Sequence, residues 1–94
     1  MREAEAHFRG LRANEKPLVR DAIRSQLVYE PTVETRNRFR MTSNPLAAWE
    51  LRVPPCRVYY DVEGDEVLVR AIGVKRENRV FIGGQEVDLR EQDA

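Results

Sequence analysis

The chain has 94 residues, and 16 Lys+Arg offset 16 Asp+Glu, so its formal net charge is zero although 34% of its residues are charged. A length of this order makes one domain over residues 1–94, able to bury about 65% of its unfolded surface around a modest core. Charge neutrality speaks against a simple polycation for nucleic acid, and no apolar run is long enough to span a bilayer.

From the N-terminus, Ala4, Phe8 and Leu11 fall at i, i+4 and i+7 and predict a helix over residues 3–14. His7, the only histidine, lies in this helix and reads as a residue of its boundary. Pro17 suits the first turn of a second helix, where a missing N–H costs nothing, and Leu18, Ala22, Ile23 and Leu27 mark its apolar face. Pro31 closes the unit, giving an antiparallel helical hairpin. Residues 34–45 carry Arg36, Arg38 and Arg40 at alternate positions without apolar periodicity, as an exposed connection that grazes a strand edge would.

From Trp49 the period becomes two. Trp49, Leu51 and Val53 share one side, Glu50 and Arg52 the other. Pro54 and Pro55 end this strand, and Cys56 follows as the single cysteine. With no partner for a disulfide it reads as the reduced thiol of a cytoplasmic protein, and with His7 distant in sequence neither a Cys–His nucleophile nor a metal site is expected. Val58, Tyr60 and Val62 then alternate with Arg57, Tyr59 and Asp61, and Glu63-Gly64-Asp65-Glu66 supplies a hairpin loop. Residues 67–73 return, and residues 79–82 add a short fourth strand before Gly83-Gly84. The expected fold is α+β: an N-terminal helical hairpin packed on one face of a small antiparallel sheet. The other face is expected to display Glu50, Arg52, Arg57, Tyr59 and Arg70.

The zero net charge conceals a segregation. Residues 85–94 hold Glu86, Asp88, Glu91 and Asp93 against Arg90, a net of −3, which leaves +3 on residues 1–84. Fourteen of the 16 cations are arginine, whose planar fork matches phosphate and stacks on bases. Arg36, Arg38, Arg40, Arg52, Arg57, Lys75, Arg76 and Arg79 all fall in the connection or the sheet, and residues 85–94 are expected to form an acidic tail able to fold over the cationic face.

Three runs, Trp49-Glu50-Leu51-Arg52-Val53, Cys56-Arg57-Val58-Tyr59-Tyr60-Asp61-Val62, and Val69 to Phe81, preceded by two helices, together resemble the RelE/ParE superfamily of toxins from bacterial type II toxin–antitoxin pairs. The resemblance covers almost the whole chain. It implies a cytoplasmic toxin neutralised in a hetero-oligomer by a cognate antitoxin, with a homodimer as a second assembly. RelE-type members act on ribosome-bound mRNA as metal-independent endoribonucleases, needing no cofactor. By position, Arg52 and Arg57 would contact phosphate and stabilise the transition state, and Lys75, with Arg76 beside it, would replace a catalytic arginine. Arg36, Arg38, Arg40, Tyr59 and Phe81 would bind RNA, Phe81 falling where nuclease members carry a tyrosine. Three departures stand out. Glu50 replaces a catalytic lysine, Phe81 lacks a hydroxyl that Tyr59 would have to supply, and the family's opening strand is absent or lies upstream, which would leave an open sheet edge. The alternatives are a ParE-like inhibitor of DNA gyrase acting by protein binding, and a degenerate partner-binding module.

Overall fold

The structure is a computed structural model and describes residues 2–42, 44 and 46–87. The fold is α+β, with two helices and an open antiparallel sheet. Helix α1 (Arg2–Arg9) and helix α2 (Glu15–Ala22) precede a π-helical turn (Ile23–Leu27). Among the described residues six strands follow: β1 (Arg38–Arg40), β2 (Trp49–Val53), β3 (Cys56–Glu63), β4 (Glu66–Arg76), β5 (Arg79–Ile82) and β6 (Gln85–Val87), ordered as a meander.

Two-residue turns set the register. Pro54-Pro55, joined by a cis peptide, connects Val53 to Cys56, and Gly64 adopts φ 65° in the β3–β4 turn. Glu77 and Asn78, and likewise Gly83 and Gly84, all take positive φ, the requirement of type I′ hairpins. Of these turns the sequence predicts the one at Gly64 as a hairpin loop, but it expects residues 85–94 to be an acidic tail after Gly83-Gly84 and not a strand. Residues 85–87 instead pair with β5 through Val80↔Val87, Phe81↔Glu86 and Ile82↔Gln85. The remainder of that expected tail lies outside the described residues.

Both helices pack on one face of the sheet. Leu11, Val19, Ala22 and Leu27 meet Trp49, Leu51, Val58, Tyr60 and Ile72 in a single core, with Trp49 and Tyr60 stacked at 6.2 Å between ring centroids. The buried stripe of α2 is Glu15, Val19 and Ala22, so Leu18, expected inside, lies 45% exposed. Glu15 sets this phase because its carboxylate must reach Arg76 of β4, at 3.0 Å. The wide π turn then carries the stripe from Ala22 to Leu27, a step of five residues. No helix among the described residues is long and apolar enough to cross a membrane.

The connection between helices and sheet meets a strand edge as expected, but it does not leave Arg38 exposed. Residues 38–40 form an edge strand paired with β2, Arg38 opposite Leu51, so Arg38 faces the helices and is buried. Its Nε donates to the Val33 carbonyl at 2.7 Å and its Nη1 to the Gln26 carbonyl at 2.8 Å. It thereby ties the connection, at Val33, to the last turn of the helical unit, at Gln26, as a cation near a helix C-terminus can.

Candidate functional site

The far face of the sheet, away from the helices, brings Phe39, Glu50, Arg52, Arg57 and Tyr59 together. The register puts Phe39 and Tyr59 on either side of Glu50, and Arg52 directly opposite Arg57. The Glu50 side chain is only 7% exposed, and one oxygen, Oε2, accepts from Arg57 Nη1 at 2.9 Å and Arg52 Nε at 3.1 Å. Arg52 lies over the Phe39 ring, its Cζ 4.7 Å from the centroid, within the range of a cation–π contact. The arginine side chains differ in access, 44% exposed for Arg52 and 15% for Arg57.

Lys75 shares this face. Arg57 opposes Gly73, and Lys75 lies two residues further along β4, exposed, with its backbone N–H bonded to the Pro55 carbonyl. Gly73 lies between these two cations and is closely overlaid by β5, since a Cβ there would come within 3.1 Å of Ile82 Cγ1 and 3.2 Å of Val80 Cγ1. Tyr59 is buried, not displayed as expected. Burial, reinforced by the Glu50 carboxylate and only partly offset by Arg57 and Arg52, pushes its phenol up to about 12. A phenol so weakly acidic is a packing group and a poor proton shuttle at neutral pH. Arg70 is committed elsewhere. Its Nε donates to Asp61 at 2.8 Å, while Asp61 accepts the Ala48 N–H at 2.8 Å and so ties down the loop before β2. Burial alone would raise Asp61, but these two hydrogen bonds hold its carboxyl below the usual range.

The other expected site residues do not join this cluster. Alternation splits Lys75 from Arg76: Arg76 turns toward the helices and donates to Glu15 Oε2. Phe81 lies opposite Val74 on the helix side and lines a cavity of about 480 Å³ with His7, Leu11 and Arg76. His7 is more than a boundary residue, because its Nδ1 accepts the Ile72 backbone N–H at 3.2 Å where β5 stops. Arg40 lies 6.0 Å from the Trp49 ring centroid, on the side opposite Arg52. Arg36 is exposed in the connection. The five-residue RNA set and the four-residue catalytic set are therefore distributed over both faces, with Arg52, Arg57 and Lys75 left together.

Sequence reasoning placed Glu50 on this face yet counted it as a loss, and it passed over Phe39. The alternation Arg38-Phe39-Arg40 carried the signal that would have put Phe39 beside Glu50. Chemically, the cluster is a fixed carboxylate flanked by two guanidinium groups that retain unused donors toward an arriving anion. Among the described residues no three His, Cys, Asp or Glu side chains converge as ligands for a metal. No protein-family model, curated protein or solved structure matches the chain.

Proposed function

We propose that the chain is a RelE/ParE-like toxin that cleaves RNA without a metal, using the far face of the sheet. The observation that carries this reading is the Glu50 carboxylate held between Arg52 and Arg57. A base to take the ribose 2′ proton and cations for charge developing on phosphorus are two of the three groups the reaction needs. Glu50 takes the proton from the 2′-hydroxyl, and the freed oxygen attacks the adjacent phosphorus. Arg57 and Arg52 balance the charge of the pentacoordinate state. The bond from phosphorus to the 5′ oxygen breaks, and Lys75 gives that oxygen a proton. The products are a 2′,3′-cyclic phosphate and a 5′-hydroxyl. The departure at Glu50 thus becomes the base that a lysine provides in the resembled family. A cognate antitoxin would silence the site by covering this face, and ribosome-bound mRNA is the proposed substrate.

Expression of the chain alone should arrest growth, and primer extension should show cuts inside translated codons. Glu50→Gln should lower the cleavage rate by about 10²–10⁴-fold, the range for loss of a general base. Arg57→Ala should abolish cleavage with the far-UV circular dichroism unchanged. Full activity in Glu50→Gln would reject the proposed base. A second reading, a ParE-like inhibitor of DNA gyrase, draws support from Arg76 and Phe81 lying away from Arg57, which leaves the nuclease set incomplete. Arrest with intact mRNA and cleaved chromosomes would favour it.

A further inference from the structure

Strand β4 runs for 11 residues, but β5 pairs only with its stretch from Gly73 to Arg76. Between Val67 and Ile72 it has β3 on one side and, among the described residues, no strand on the other. The direction of each backbone group follows from the register. In a two-residue hairpin the flanking residues, here Glu63 and Glu66, exchange hydrogen bonds. Leu68 therefore also points to β3, and Val67 and Val69 point outward. The bulge opposite Tyr59 and Tyr60 adds one residue, after which Ile72 points outward. Ile72 provides an internal check, because its N–H leaves the sheet to meet His7 Nδ1. A side chain there does what a neighbouring strand would do. Among the described residues the N–H and C=O groups of Val67 and Val69 have no such substitute.

The same stretch borders an apolar groove on the helix side. One part, about 560 Å³, runs between Leu27 and Tyr29 on one wall and Val67 and Val69 on the other. A second part, about 290 Å³, continues toward Phe8 of α1, with Ile23 and Val69 lining both. Tyr29, 80% exposed, and Val28, 63% exposed, extend the apolar surface at its mouth. The hairpin end is acidic: Glu63, Asp65 and Glu66 are exposed, and Asp65 lines the groove itself.

We propose that the outer edge of β4 at Val67–Val69 takes up an extended strand from a partner polypeptide. Its backbone pairs with Val67 and Val69, its alternate aliphatic side chains enter the groove beside Ile23 and Val69, and basic residues at one end meet Asp65 and Glu66. A second copy of this chain fits less well. Two outward residues per copy supply a seam far smaller than the roughly 800 Å² per partner of a stable interface, whereas a flexible segment can also line the groove. The proposal is independent of the RNA reading, which concerns the far face.

The test uses two synthetic peptides of alternating valine and threonine, one ending in two lysines and one in two glutamates, titrated into the ¹⁵N-labelled chain. The amides of Val67 and Val69 should shift and become protected from hydrogen exchange, and the lysine peptide should bind at least about tenfold more tightly, as two favourable charge contacts allow. Val69→Pro, which deletes one outward donor, should abolish binding with the circular dichroism unchanged. The surface variant Asp65→Lys/Glu66→Lys should reverse the preference between the peptides. Peptide binding that leaves the Val67 and Val69 amides unmoved would overturn the proposal. So would slow exchange of those amides in the free monomer, or their protection in a homodimer seen by sedimentation.

Discussion

Arg76 offers the sharpest test of which arginines are structural. Glu15 is 2% exposed and accepts two hydrogen bonds, from the Arg12 N–H at 3.0 Å and from Arg76 Nη2 at 3.0 Å. Removing one partner of a fully buried pair costs about 3–5 kcal/mol, while an exposed pair is worth less than about 1 kcal/mol. The Arg76 side chain is 35% exposed, so water screens its guanidinium, and Glu15 keeps the Arg12 amide. Arg76→Ala should therefore fall between the limits, at about 2 kcal/mol. At about 4–8 °C per kcal/mol for a domain of this size, the Tm drops by about 8–16 °C in a circular-dichroism melt at neutral pH. Acid supplies the sign. Burial raises the Glu15 pKa, but the hydrogen bonds from Arg12 and Arg76 and the charges of both arginines together hold it below its ordinary 4.5. The stabilisation is complete above that value and disappears as pH falls through the lowered folded one. In the variant burial dominates, Glu15 takes up its proton at higher pH, and the difference from the parent narrows in acid. A Tm equal to the parent's, or a gap indifferent to acid, would refute this account. Under the proposed reading, the variant below its Tm should cleave RNA at the parent's rate, since Arg76 lies on the helix side.

Two further outcomes follow from the packing. Cys56 is buried, and desolvation, with the nearby Glu15 carboxylate and despite Arg76, pushes its thiol up to about 11. Iodoacetamide at about pH 8 should leave the native chain unlabelled and modify it fully in denaturant, read by mass spectrometry, and rapid native labelling would contradict the burial. Gly73→Ala places a methyl group 3.1 Å from Ile82 Cγ1 and 3.3 Å from the Phe81 carbonyl, so β5 must move. The expected loss is about 1–3 kcal/mol in urea unfolding, and an unchanged midpoint would mean that β5 yields freely.

The strands from Trp49 to Gly73 were legible because apolar and polar residues alternate there and turn residues punctuate them. The helices were legible as elements but not in phase, because the buried stripe of α2 includes a glutamate. No hydropathy pattern points Glu15 inward; its partner stands 61 positions away on β4. Arg38 was misread for a related reason. A cation in an arginine-rich stretch without apolar periodicity looks exposed, yet its long side chain lies against the core and finds two carbonyls. In the candidate site, period two placed Arg52 and Arg57 on one face, whereas Lys75 and Arg76, beyond the expected strand 67–73, were put there as a pair that alternation in fact divides. The same rule, applied to residues 74–81, would have sent Arg76 and Phe81 to the opposite side.

The zero net charge can now be located. Expectation set a basic body against an acidic tail, but among the described residues the cations of the sheet are largely neutralised in place: Arg52 and Arg57 by Glu50, Arg70 by Asp61 and Glu63, Arg76 by Glu15, and Arg79 by Glu86. Such pairing changes what the far face can bind. A phosphate approaching Arg57 meets a guanidinium already hydrogen-bonded to a carboxylate, so it adds to a network and does not neutralise a bare charge. Long-range attraction is weak because Glu50 cancels one of the two guanidinium charges at that point. Recognition then rests on the donors left unused and on Lys75, groups whose reach is a single phosphate. A substrate delivered already positioned, as a strand of RNA held on a larger assembly would be, needs no such long-range attraction. Under the proposed reading, a carboxylate base fixed between two cations suits a division of labour in which such an assembly would supply affinity and this face the chemistry.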